Sequence, residues 1–233
     1  MLEITSLSGG WDRTTIVEEF SLTVGAGEAV AIVGRNGVGK TTLLEIVTGR
    51  ARRHGGAIRL AGEDISDLPT KRRANAGLGY VPQTREVFPS LTVRENMAVA
   101  ARPGPWTEER LLGLFPSLGR RLGHLGGQLS GGEQQMLSIA RALRGNPKML
   151  LMDEPSEGLA PVVVEHLVEA LRTLAGAGAT TLLLVEQRID IALDLSVRCI
   201  VMDRGRVVHE GASADLSRDE QKLTALMGLG AAA

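Results

Sequence analysis

The stretch Ala29-Val30-Ala31-Ile32-Val33-Gly34-Arg35-Asn36-Gly37-Val38-Gly39-Lys40-Thr41 decides the fold. Five apolar residues make a buried strand, and the glycines after them let the backbone wrap closely around an anion. Gly34 to Thr41 fits the pattern G-x-x-x-x-G-K-[ST], a nucleoside-triphosphate site placed between a strand and a helix. The backbone N–H groups and the positive end of the helix that starts at Lys40 favour phosphate. Lys40 is placed to reach the β- and γ-phosphates, and the Thr41 hydroxyl to hold Mg²⁺. Asn36 and Thr42 belong to the same surface. An ordinary glycine-rich turn would not fill every position of the pattern in this strand–loop–helix context.

Working outward, short β-rich runs occupy Leu2–Leu7, Phe20–Val24, Ala29–Val33, Ile58–Leu60 and Leu78–Val81, with one helix from Lys40 to about Gly49. From Phe88 to Gly145 the pattern turns helical, broken by Pro103-Gly104-Pro105, Pro116 and Gly126-Gly127. Buried-strand runs return at Met149–Met152, Thr181–Val185 and Cys199–Met202, separated by helical segments at Pro161–Ala175 and Ile189–Leu195. Strands alternating with helices predict an α/β fold around a mainly parallel sheet with covered faces. One domain is expected: a core with an antiparallel β-rich part over 1–86 and 147–218, a helical insertion over 87–146, and a tail over 219–233. Gly228-Leu229-Gly230-Ala231-Ala232-Ala233 reads as a frayed end.

A second site of chemistry lies at Met149-Leu150-Leu151-Met152-Asp153-Glu154. Four apolar residues deliver two carboxylates to the C-terminal end of a strand, where open α/β sheets bind their ligands. By itself an Asp-Glu strand end reads as a solvated turn. Downstream of a phosphate loop, Asp153 is suited to orient Mg²⁺ and Glu154 to polarise an attacking water. At Ser130-Gly131-Gly132-Glu133, Ser-x-x-Glu is a capping box, and a capped helix start is also an anion site.

Bulk properties exclude more than they assert. The 233 residues carry a net charge of −1, which gives no sign of a nucleic-acid partner. A single cysteine, Cys199, excludes an internal disulfide and reads as a small core residue. The opening Met1-Leu2-Glu3-Ile4-Thr5 has no signal-peptide character, and no apolar stretch approaches the roughly 18 residues of a membrane span. The basic runs Arg50-Ala51-Arg52-Arg53 and Lys71-Arg72-Arg73 read as solvated faces. A guanine-reading Asn-Lys-x-Asp segment is missing; Asn146-Pro147-Lys148 does not match it.

With the phosphate loop, Leu129-Ser130-Gly131-Gly132-Glu133-Gln134-Gln135 and Asp153-Glu154 in this order, nearly the whole chain resembles the ABC ATPases. That resemblance implies ATP and Mg²⁺ as ligands and a motor that works as a dimer. It places Trp11 against adenine, although an aromatic there also suits a core or lid residue. It makes Gln83, in Tyr80-Val81-Pro82-Gln83, a sensor of Mg²⁺ and of the transport partner. Ser130, Gly131, Gly132 and Glu133 would complete the ATP site of a facing subunit. Glu154 and Gln187 would act in hydrolysis, Gln187 standing where most members have a histidine on the γ-phosphate. Glutamine keeps an N–H donor but carries no positive charge, so slower hydrolysis is expected.

Glu157-Gly158-Leu159-Ala160-Pro161 and Leu184-Val185-Glu186-Gln187 are similar to the smaller ATPase of branched-chain amino-acid importers, with urea and short-chain amide importers close by. The implied partners are a second ATPase subunit, identical or a sister chain, integral membrane permease subunits, and indirectly an extracytoplasmic solute-binding protein. The segment Phe88-Pro89-Ser90-Leu91-Thr92-Val93 would face the permease. The implied place is the cytoplasmic face of the inner membrane. A regulatory ATP-binding module and a non-transport ABC ATPase are the rival readings.

Overall fold

The apolar runs become strands, and most strands extend beyond the runs. The computed structural model describes residues 1–226 except 177 and 179; the frayed end expected at 228–233 lies outside them. A hairpin of β1 (Leu2–Trp11) and β2 (Thr14–Val24) precedes β3 (Ala29–Val33) and α1 (Lys40–Thr48). Next come β4 (Arg52–Leu60), β5 (Glu63–Asp64), α2 (Thr70–Ala76) and β6 (Leu78–Val81). Helices α3 (Val93–Ala98), α4 (Glu108–Leu114), α5 (Pro116–Gly119) and α6 (Gly131–Arg144) follow. The order closes with β7 (Met149–Asp153), α7 (Pro161–Gly176), β8 (Thr181–Glu186), α8 (Ile189–Leu195), β9 (Arg198–Asp203), β10 (Arg206–Ala212), α9 (Ser213–Arg218) and α10 (Glu220–Leu226).

Two sheets result. The larger has the order β10-β9-β3-β8-β7-β6, parallel from β9 to β6, with β10 antiparallel at one edge. Strands β3, β7 and β8 are buried at every position, so neither of their faces meets water and no polar alternation marks them. The smaller sheet, β2-β1-β4-β5, is antiparallel.

Side chains leave opposite faces of β7 in turn. Met149 and Leu151 join Leu43, Leu44 and Ile46 of α1 and Phe20 and Ile58 of the smaller sheet. Leu150 and Met152 join Leu137 and Leu143 of α6 and Leu167 and Leu171 of α7. Helix α1 is thus clamped between the two sheets, and the helical stretch covers the far face. Cys199 is fully buried with Ala31, Val33 and Val201. Among the described residues no helix is long and apolar enough to cross a membrane.

Differences from expectation have local causes. The runs at Leu2–Leu7, Phe20–Val24 and Ile58–Leu60 mark only part of β1, β2 and β4. Beyond them Gly9 and Gly10 are buried and pair with Val17, Thr15, Arg53 and Arg52, but glycine has no apolar side chain to mark a strand in the sequence. Helices α2, α9 and α10 and strand β10 are short or half-exposed, which leaves their hydrophobic pattern weak.

The solvated-face reading of Lys71-Arg72-Arg73 fails at Arg73. Its guanidinium is buried and donates to Ile46 O (2.8 Å), Val47 O (2.8 Å), Ser66 O (2.8 Å) and Leu68 O (2.7 Å). A cation at the C-terminal carbonyls of α1 meets the negative end of the helix dipole. In the other run Arg50 is exposed and pairs with Glu86, and Arg53 pairs with Asp67.

Candidate nucleotide site

The strand order sets the site. Strand β8 lies between β3 and β7, with Val33 beside Glu186 and Asp153 beside Val185, so the C-terminal ends of all three coincide. The turn after β3 passes so near β9 that a Cβ on Gly34 would lie 2.3 Å from Met202 O. Gly39, at the start of α1, has φ +104°, a conformation that favours glycine.

Lys40 is 4% exposed and folds back on its own loop, donating to Gly34 O (2.9 Å) and Arg35 O (3.2 Å). Its ammonium is 3.2 Å from the Glu154 carboxylate, a buried ion pair. Thr41 Oγ1 donates to Asp153 Oδ1 at 3.1 Å, across 112 residues of chain. Asp153 is fully buried, and its carboxyl is pushed up to about 6 mainly by loss of hydration, with Thr41 opposing and Glu154 adding. Tyr80 Oη donates to the other oxygen, Asp153 Oδ2, at 3.5 Å. Glu154 itself sits at φ +44°, a left-handed backbone that a non-glycine residue adopts at some cost.

A cleft of about 380 Å³ brings Asn36, Gly37, Gly39, Lys40, Thr41, Thr42, Gln83 and Glu154 together. Gly34 is outside this lining and meets the site through its carbonyl, which accepts from Lys40 Nζ. Two residues also line the cleft, Ile16 from β2, which sequence reasoning missed, and Glu157, which it quoted only as part of a family-like segment after Glu154. Gln83 Nε2 donates to Glu157 Oε2. A third, Glu186, is buried at the end of β8 and accepts from Ser156 N (3.1 Å) and Arg188 N (3.4 Å), tying down the turn after β7. Burial raises its pKa. An acidic residue closing the apolar run Thr181–Val185 was the available signal.

Other predicted residues stand apart. Trp11 lies at the tip of the β1–β2 hairpin, 45% exposed, and does not line the cleft. Gln187 is exposed just beyond β8 and does not line it either. Ser130 caps α6 and Gly131, Gly132 and Glu133 open it, and none of the four lines the cleft. Their capping box is formed: Glu133 N donates to Ser130 Oγ (3.3 Å) and Ser130 N to Glu133 Oε2 (2.9 Å). Within one chain the second glycine-rich motif therefore does not join the cleft formed by the first.

The donors at Thr41, Asp153 and Gln83 are all oxygens, the set a hard divalent cation takes. Asp153 also lacks a hydrated outlet for its charge, which a dication would supply. Among the described residues no cluster of three or more His, Cys, Asp or Glu side chains forms a cage that could hold a metal alone. Such a set fits an ion shared with phosphate oxygens.

A phosphate loop after one parallel strand and an Asp-Glu pair two strands away define a P-loop nucleoside triphosphatase. The family model described as "ABC transporter" matches residues 17–157. The high-affinity branched-chain amino acid transport ATP-binding protein BraG of Pseudomonas aeruginosa is 37% identical over 98% of this chain and 100% of its own length. The lipopolysaccharide export system ATP-binding protein LptB of Haemophilus influenzae is 34% identical over 98% and 97%. A dimeric ATP-binding cassette in a post-hydrolysis state with ADP and Pi superposes with TM-score 0.80 at 26% identity, covering 91% of this chain and 99% of that one. The chain belongs to the ABC transporter family and is an ATPase.

Proposed function

We propose that this chain is the ATP-hydrolysing subunit of an importer for branched-chain amino acids. The observation that carries the reading is the full-length match to BraG, supported by the Glu157–Pro161 run and by Gln187. The match to LptB favours a second reading, a motor for lipopolysaccharide export.

In this mechanism two ATPase subunits, this one and a sister chain, sandwich two ATP molecules at the cytoplasmic face of the inner membrane. Lys40 leaves Gly34, Arg35 and Glu154 for the β- and γ-phosphates. Thr41 and Asp153, with Gln83, would hold Mg²⁺, which when bound would supply charge neutralisation for the phosphates. Glu154, freed from Lys40, orients the attacking water, and Gln187 donates to the γ-phosphate. Trp11 and Ile16 flank the adenine. Ser130, Gly131, Gly132 and Glu133 present the capped start of α6 to the ATP held by the facing subunit. Separation of the subunits after hydrolysis drives the permease, which receives its solute from an extracytoplasmic binding protein.

Reconstitution in proteoliposomes with two permease subunits, a sister ATPase and a solute-binding protein tests the proposal. ATP inside the vesicles should drive uptake of labelled leucine, isoleucine or valine, and Lys40→Ala should abolish it. A complex that hydrolyses ATP without accumulating any of the three refutes the substrate assignment.

A further inference from the structure

We infer that Glu157 is a positioning residue that sets which end of the Gln83 amide faces the metal site. The inference rests on the reading of Gln83 as a Mg²⁺ ligand. Gln83 follows β6 and Glu157 follows β7, and both line the cleft beside Lys40, Thr41 and Glu154. Gln83 Nε2 donates to Glu157 Oε2. Among the described residues this is the only side-chain hydrogen bond that Gln83 makes.

An amide has a donating and an accepting end of nearly equal shape, so geometry alone does not choose between them. An ionised carboxylate only accepts. Glu157 therefore holds the NH₂ group to itself and leaves Oε1, the end a hard cation can use, for the cleft. An apolar residue at 157 would leave both amide orientations open, and one of them would aim N–H donors at a cation.

The same carboxylate lies near the place of the ATP phosphates, and the two charges repel. Glu157 thus acts with opposite sign on the two ligands: it strengthens metal binding and weakens binding of metal-free nucleotide. General loosening of the site would weaken both.

The test uses the full-length chain with Mn²⁺ as the metal and adenylyl imidodiphosphate as the nucleotide, bound Mn²⁺ being read by electron paramagnetic resonance. Outer-shell partners of metal ligands typically contribute about 10- to 100-fold in affinity, and with phosphates sharing the ion we expect about fivefold weaker Mn²⁺ binding for Glu157→Leu. Calorimetry in EDTA should show the nucleotide bound by Glu157→Leu as tightly as by wild type, or more tightly. Gln83→Ala should weaken Mn²⁺ similarly, and the double variant should be no worse than Gln83→Ala. Glu157→Gln, which keeps the shape of the turn but can pair in either sense, should show part of the loss, and it is the variant read if Leu perturbs folding.

Mn²⁺ affinity unchanged in Gln83→Ala refutes the ligand reading and the inference with it. A loss in Gln83→Ala without one in Glu157→Leu or Glu157→Gln overturns the inference alone. Additive losses in the double variant assign Glu157 to the metal directly and also overturn it.

Discussion

Glu154→Gln separates the two tasks that the structure gives this carboxylate. In the nucleotide-free chain it neutralises Lys40, at 3.2 Å and with both groups under a tenth exposed. At that separation and an effective dielectric of ~20 the attraction is about 5 kcal/mol before desolvation is counted. Removing one partner of a buried pair commonly costs about 3–5 kcal/mol. Here Lys40 keeps the carbonyls of Gly34 and Arg35, and glutamine keeps an acceptor, so about 2 kcal/mol is expected. For a chain of this size that lowers the Tm by about 4–8 °C.

ATP reverses the balance, because its phosphates replace Glu154 as partner of Lys40 and no longer face a second carboxylate. The ATP-induced rise in Tm should therefore be larger in Glu154→Gln than in wild type. Turnover should fall by about 10²–10⁴, the contribution of a positioned base, and the ATP-bound dimer should persist on size-exclusion chromatography with the sister ATPase present. Differential scanning fluorimetry with and without ATP, together with phosphate release, reads all of this. Wild-type turnover would show that Glu154 does not activate the water. An unchanged apo Tm with an unchanged ATP increment would show that the Lys40–Glu154 pair carries no energy.

Gln187→Ala should lower phosphate release by the assembled dimer, by at most about 10²-fold, whereas Gln187→His should leave it equal or modestly raised. The partner's own site is inactivated for the measurement, and wild-type turnover in Gln187→Ala refutes the γ-phosphate role. Arg73→Met roughly keeps the volume but leaves Val47 O and Leu68 O without that donor, while Ile46 O keeps Gly49 N and Ser66 O keeps Arg53, so urea denaturation should show a loss of about 2–4 kcal/mol; a loss under 1 kcal/mol would mean that water replaces the guanidinium. The Asp153 carboxyl, at about 6 when folded against 3.8 normally, holds its proton more tightly in the native state. Its contribution is complete below about pH 4 and is lost as pH rises through 6. The stability of wild type relative to Asp153→Asn, measured in EDTA, should therefore fall by about 3 kcal/mol between pH 4 and 7. A difference that is flat with pH contradicts the shift.

The residues from Ala29 to Thr41 and from Met149 to Glu154 announced their strands and their loop without any tertiary information. Each depends on short-range physics: an apolar run long enough for a buried strand, glycines that permit a tight turn, and a charge placed where the strand ends. The capping box at Ser130 and Glu133 was legible for the same reason, since its partners are three residues apart.

Tertiary structure alone decided what depends on strand order. Only because β8 lies between β3 and β7 do Thr41 and Asp153 meet, and no spacing within 112 residues of chain encodes that neighbour. Arg73 read as a surface charge because sequence shows its sign and not the α1 carbonyls waiting for it. Ile16, Glu157 and Glu186 joined the site through contacts between distant segments. Trp11, Gln187 and the start of α6 carry recognisable motifs, yet that they do not line the cleft beside Lys40 appears only once the chain is folded, because a motif fixes what a residue can bind and the fold fixes what it can reach.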